Sequence, residues 1–184
     1  PTYPTDNSSR SLFDLSDLKT SLNYIAANTF STTLVDKSTD PNVDSGGADP
    51  HDSKVVRMFS EIESDGYAVI RGPYLVSNNP LYLRSGEIVS FDYKVKAGRD
   101  AYDAFGYLVN SDTNEFITIL NETGASDSAE TDWETKSVNI SQSGNYKFVF
   151  ASGSFDFSGG TLLGANLYLD NIAITPGPLL SVNN

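Results

Sequence analysis

Along residues 87–96 apolar and polar side chains take turns: Val89, Phe91, Tyr93 and Val95 alternate with Ser90, Asp92, Lys94 and Lys96. A period of two belongs to a β-strand with one face on a core and the other in solvent. Glu87–Lys96 is therefore predicted to be a half-buried strand. The same cues place strands at Phe30–Val35, Lys54–Phe59, Tyr67–Val76, Tyr102–Val109, Phe116–Leu120, Trp133–Ile140, Tyr146–Ala151 and Ala165–Ile174, with Gly72-Pro73 interrupting the third of these. Helical spacing is limited to Leu12, Leu15, Leu18 and Leu22, which predicts one short helix over Ser11–Leu22. Many short strands with almost no helix predict an all-β antiparallel sandwich, most simply a jelly roll.

The final strand breaks its own rhythm. Leu167 and Leu169 are apolar at odd numbers, Ile172 and Ile174 at even ones, with Asp170-Asn171 between. Side chains alternate faces along a strand, so the change of parity predicts one inserted residue, a β-bulge at the Asp-Asn pair. Antiparallel strands also reverse direction each time, so connections two apart in the chain leave from the same end. Ala97–Tyr102, Asn121–Asp132 and Ser152–Gly164 are thus expected at one end, and all three carry Asp. The turns Asn110–Asn114 and Ser141–Asn145 belong to the other end. Function is expected at the loop-rich end, where a rigid scaffold presents variable segments.

With 184 residues the chain is expected to form a single domain over 1–184. Residues 1–28 are expected to pack on it as an extension, and 175–184 to be a linker to further sequence. Ten Tyr and ten Phe supply large buried areas. The net charge of −12 argues against a nucleic-acid partner, which needs a basic footprint. No apolar run has membrane-spanning length. Zero Cys removes disulfides, thiolate chemistry and Cys-based zinc sites together.

Candidate chemistry is consequently carboxylate chemistry. His51 is alone, and no Gly-x-Ser-x-Gly, phosphate-loop or HExxH pattern occurs, so the chain is not expected to be an enzyme. Many of the acids are Asp in Gly/Ser/Asn loops, which suits hard cations with oxygen ligands. Asp100 and Asp103 flank Tyr102 where a strand begins, and carboxylates so close repel unless a cation sits between them. Asp156 is expected at the same end. Gly159 and Gly160 would let backbone carbonyls approach an ion. Asp170 could serve that ion or a second, structural one. The loop Asp40–Ser53 lacks the spacing of an EF-hand.

Two stretches carry a family resemblance. GEIVSFDYKVKAGRDAYDAFGYLVN, and TDWETKSVNISQSGNYKFVFASGSFDFSGGTLLGANLYLDNIAI, resemble the calcium-dependent ligand-binding jelly-roll domains of bacterial repeats-in-toxin (RTX) adhesins, in particular their peptide-binding domains. Most distinctive are DAYDAFGYL and the run from GSFD to GANLYLDNI. The resemblance covers roughly the C-terminal two thirds, and the GGxGxD secretion repeat is absent. It implies a calcium-loaded extracellular module on a bacterial surface, monomeric in isolation. In that family calcium helps to capture the free C-terminal carboxylate of a short peptide on another cell's protein. Carried over by position, the calcium ligands are Asp100, Asp103, Asp156, Asp170 and backbone of Gly159 or Gly160, and the peptide walls are Tyr102, Phe155 and Asn166. A calcium-dependent carbohydrate-binding module and a calcium-stiffened spacer would use the same kind of loops.

Overall fold

A computed structural model describes residues 30–36, 54–60, 64–65, 69–98, 101–125, 130–155, 157, 161–162 and 164–177. Among the described residues twelve strands run in the order β1 (Phe30–Asp36), β2 (Lys54–Ser60), β3 (Ser64–Asp65), β4 (Val69–Val76), β5 (Leu81–Leu83), β6 (Ile88–Ala97), β7 (Ala101–Asn110), β8 (Phe116–Ala125), β9 (Glu134–Asn139), β10 (Gly144–Phe155), β11 (Thr161–Leu162) and β12 (Ala165–Thr175). Each strand expected from the sequence is present. The short β3, β5 and β11 are additions whose two or three residues carry no readable period. The expected helix over 11–22, the N-terminal extension and the loop Asp40–Ser53 lie outside the described residues. Among those residues no helix is long and apolar enough to cross a membrane.

The strands form an antiparallel β-sandwich of the jelly-roll kind. One sheet has the order β1-β2-β12-β6-β9, and the other β4-β10-β7-β8 with β5 pairing β10; β3 and β11 make a small third sheet. All of the pairings are antiparallel. Between the two large sheets lies the main core. Met58 of β2, Phe91, Tyr93 and Val95 of β6, Leu108 of β7, Phe150 of β10, and Leu167 and Leu169 of β12 are all buried in it. The Phe91 and Phe150 rings meet edge to face across the sandwich with centroids 5.2 Å apart.

Two departures from the sequence expectation matter for the site. The middle of the polar half of β6 is covered: Asp92 is 5% exposed and Lys94 7%, while Ser90 and Lys96 to either side are part-exposed. Likewise β7 is buried on both faces, with Tyr102, Ala104 and Leu108 in the main core and Phe105 and Tyr107 in a second cluster with Val149 and Ala151 of β10. A period of two reports which side chains share a face; it does not report whether that face is covered.

The predicted bulge is present. Asp170 pairs with Asp92 and Ala173 with Ser90, so two residues of β12 stand opposite Phe91 alone. Asn171 takes φ 51°, a left-handed conformation that Asn tolerates better than most residues. Past the bulge Ile174 pairs with the buried Val89, as the parity change requires, yet it remains 36% exposed because the core ends there. At the other interruption, one residue of β10 stands opposite Gly72 and Pro73, which are joined by a cis peptide. The start of the expected linker also packs on the domain, since a Cβ on Gly177 would collide with the Gly86 carbonyl oxygen.

Candidate functional site

The ladders fix which connections share an end. Ala101 pairs with Ala125 in β8 and with Phe155 in β10, and Ala97 pairs with Ala165 in β12. The chain between β6 and β7, between β8 and β9, and between β10 and β12 therefore starts and finishes at the same end of the sandwich. Asn110 pairs with Tyr146 at the opposite end, where its Oδ1 accepts from the backbone N–H of Asp112 (2.9 Å) and Thr113 (3.2 Å) in a tight turn.

Of the expected cation ligands at the loop end, Asp103 is the one that falls within the described residues. It lies two residues into β7 and is buried, and its Oδ1 accepts from the Thr123 hydroxyl at 3.5 Å, a long contact. Asp100, Asp156, Gly159 and Gly160 lie outside the described residues. Among those described, no group of three or more His, Asp or Glu is close enough to hold a metal ion.

The three expected ligand walls are not brought together. Tyr102 points into the main core, where it is buried, instead of lining the loops. Phe155 is half-buried and, pairing with Ala101, shares the outer face of its sheet with Asp103. Asn166 belongs to the other sheet, where its Oδ1 accepts from Arg57 Nε at 2.8 Å. The sequence marks strand residues near the loop end; only the pairing decides which of the surfaces each one joins.

Asp170 is separate from that end. It stands five residues along β12 from Ala165, roughly 17 Å at the rise of a β-strand. It faces Asp92 across the ladder, and like charges so placed repel. The bulge answers with donors. Asn171 Nδ2 donates to Asp92 Oδ2 at 2.8 Å, the Thr135 hydroxyl donates to Asp92 Oδ1 at 2.5 Å, and the Asn171 backbone N–H donates to Asp170 Oδ1 at 2.9 Å. Asp92 and Thr135 were not among the sequence candidates, because simple alternation assigned Asp92 to solvent.

The same outer face continues away from the bulge. Tyr168 pairs with Arg57 on β2 and with Lys94 on β6, and the ring of Trp133 lies 6.4 Å from that of Tyr168. The Arg57 guanidinium sits 4.6 Å over the Phe59 ring. Aromatic and cationic side chains thus occupy the middle of the outer face of this sheet.

A third polar group closes the gap between β8 and β9. The Tyr93 hydroxyl donates to Glu134 Oε2 at 2.9 Å, and Lys136 Nζ lies 2.9 Å from Glu122 Oε1. Burial, and then the two glutamates beside it, push the Tyr93 phenol far above its ordinary pKa; burial and the same carboxylates also raise Tyr102. A phenol whose folded pKa exceeds its unfolded one stabilises fully below the unfolded value, and loses that contribution as pH climbs past it, from about 10 upward. Ultraviolet titration should accordingly leave Tyr93 and Tyr102 protonated where a free phenol ionises, until the domain unfolds. Tyr93→Phe should remove one of them. Titration of all ten as free phenols in the folded state would contradict the burial.

No protein-family model matches the sequence, and neither does any curated protein. Solved structures are similar in fold. One is among the carbohydrate-binding modules of the β-sandwich superfamily described for promiscuous specificity, at TM-score 0.41 and 12% identity, over 80% of this chain and 54% of that one. The present chain thus spans about half of that structure's length. A carbohydrate-binding module specific for non-crystalline cellulose, CBM28, matches at TM-score 0.42 and 13% identity, over 71% of this chain and 79% of that one. The K3 cleaved adhesin domain of Lys-gingipain from Porphyromonas gingivalis matches at TM-score 0.42 and 20% identity, over 79% and 91%. Likeness at this level concerns the sandwich and carries over neither a ligand nor a site.

Proposed function

We propose that this domain is a non-catalytic, extracellular module of a bacterial surface adhesin that captures the C-terminal carboxylate of a peptide through calcium held at the loop end. The observation that carries the proposal is the pairing of Ala101 with both Ala125 and Phe155, and of Ala97 with Ala165, which roots three Asp-bearing connections at one end of a rigid sandwich. Asp103 would contribute a buried carboxylate there, beside Asp100, Asp156 and the backbone of Gly159 or Gly160. Bound calcium would supply a position that an incoming carboxylate oxygen can fill. Capture of chain ends is an established recognition mode, and a charged acceptor strengthens it.

The test is calorimetric titration of one peptide as free acid and as C-terminal amide, each in calcium and in chelator, with neutral oligosaccharides as a parallel arm. Binding by the free acid in calcium alone is the expected pattern. Amidation should weaken it by a few kcal/mol, since hydrogen bonds to charged groups are themselves worth about 1.5–3 kcal/mol. Equal affinity of acid and amide overturns the mechanism. Calcium-dependent binding of a sugar with no response to any peptide assigns the module to glycan recognition instead.

A further inference from the structure

The outer face of the four-stranded sheet is apolar and buried, yet its buried cluster draws on no described strand from outside that sheet. Tyr74, Ala151 and Phe105 share one rung, and Val76, Val149 and Tyr107 the next. Phe105 and Ala151 are 0% exposed, Tyr107 1% and Val149 2%. The described members of this cluster all belong to β4, β7 and β10, and the five-stranded sheet packs on the opposite side through the main core. Neighbours on one face of a sheet shield the flanks of a ring and leave its top open. Burial this complete, reached within a single chain, requires a further layer from that same chain.

Three longer stretches lie outside the described residues. Residues 37–53 leave β1 and enter β2 where Asp36 pairs with Lys54, at the turn end, and their apolar residues are Val43 and Ala48 against four Asp. Residues 178–184 follow Gly177 where it packs on Gly86 ahead of β6, in the other sheet. Residues 1–29 carry Leu12, Leu15, Leu18 and Leu22, a stripe along one side of a helix over Ser11–Leu22. Their attachment point also suits this face. Phe30 pairs with Ser60, which pairs with Ala165 at the loop end, and β1 lies against β4, the edge strand of the four-stranded sheet. The stretch 23–29 can span roughly 23 Å, more than the ~10 Å from β4 across to β7. A helix over 11–22 would measure about 18 Å, enough to cover both rungs. We propose that Ser11–Leu22 forms an amphipathic helix that caps the outer face of the four-stranded sheet, with its leucine stripe on Phe105, Tyr107 and Val149. The sandwich thereby gains a third layer, and Asp17, opposite the stripe, faces solvent.

The chain has no Cys and one Trp, so a single spin label and a single indole resonance are both unambiguous. Trp133 lies beside Tyr168 on the outer side of the five-stranded sheet and serves as the opposite reference. The experiment attaches a nitroxide to Ser16→Cys in the full chain and records the Val149 methyl and Trp133 indole N–H resonances. Loss of the Val149 signals with the Trp133 signal retained is the expected result. Adding Leu15→Asp and Leu18→Asp should restore the Val149 signals and raise the fluorescence of an apolar-surface dye several-fold, on the order of the apolar area uncovered. Asp17→Lys should change neither. The reverse pattern, Trp133 broadened and Val149 sharp, puts the segment on the other sheet and overturns the proposal, as does broadening of neither. Val149 signals still lost in the Leu15→Asp, Leu18→Asp chain would mean that the stripe is not the contact, which overturns it too. Mixing nitroxide-bearing chains with isotope-labelled chains that lack the nitroxide tests for a second copy: broadening between chains overturns the assignment to the chain's own segment.

Discussion

Phe150→Ala should destabilise the domain by about 3–5 kcal/mol, the range for truncating a buried aromatic ring. Phe150 is buried from β10 and meets Phe91 of β6 edge to face at 5.2 Å, so one ring joins the two sheets. Its seat is made by Gly106 on β7, where a Cβ would come 2.7 and 2.9 Å from two atoms of the Phe150 ring and 3.2 Å from Leu120 Cβ. Gly106→Ala alone should therefore cost about 1–3 kcal/mol through overpacking. Combined with Phe150→Ala, the added methyl enters the space the ring has left, and the double variant should be clearly more stable than the sum of the single losses implies. Urea unfolding of the four proteins measures this. Additive losses would mean that Gly106 is required for something other than the ring.

Asp92→Ala should cost about 2–4 kcal/mol, although alternation alone would make it a harmless surface change. It strips the acceptor from the Thr135 hydroxyl and from the Asn171 side-chain amide, and each abandoned group carries a desolvation cost of about 1–3 kcal/mol. Part of that loss is offset by relief of repulsion with Asp170 across the ladder. Asn171→Gly keeps a residue content with φ 51° and deletes one donor, so its cost should be smaller, about 1 kcal/mol. Denaturant unfolding with an unchanged slope would give both values. If Asp92→Ala stabilises the domain, carboxylate repulsion dominates the bulge and the hydrogen bonds do not.

Much of this architecture is legible one strand at a time. The alternation in β6 identifies Val89, Phe91, Tyr93 and Val95 as core because the pleat imposes a period of two whatever lies around it. The parity change at Asp170-Asn171 locates a bulge for the same reason. The shared end of three connections follows from strand reversal and needs no knowledge of sheet order.

What those local rules leave open is the far side of each strand. Asp92 and Lys94 read as solvated because period two assigns them to one face and says nothing of what lies over it, yet both are buried. The family resemblance makes Tyr102 a wall for the ligand, but it falls on the inward side of β7. Trp133, Lys94 and Tyr168 are separated by up to 74 positions and become neighbours only because β6 lies between β9 and β12. The sequence by itself determined the strands, their inner faces, the bulge and the loop-rich end, since each depends on the geometry of one strand or the reversal of the next. Sheet order and the second buried face were decided only by the tertiary structure, because pairing between strands distant in the chain is set by the packing of the whole sandwich.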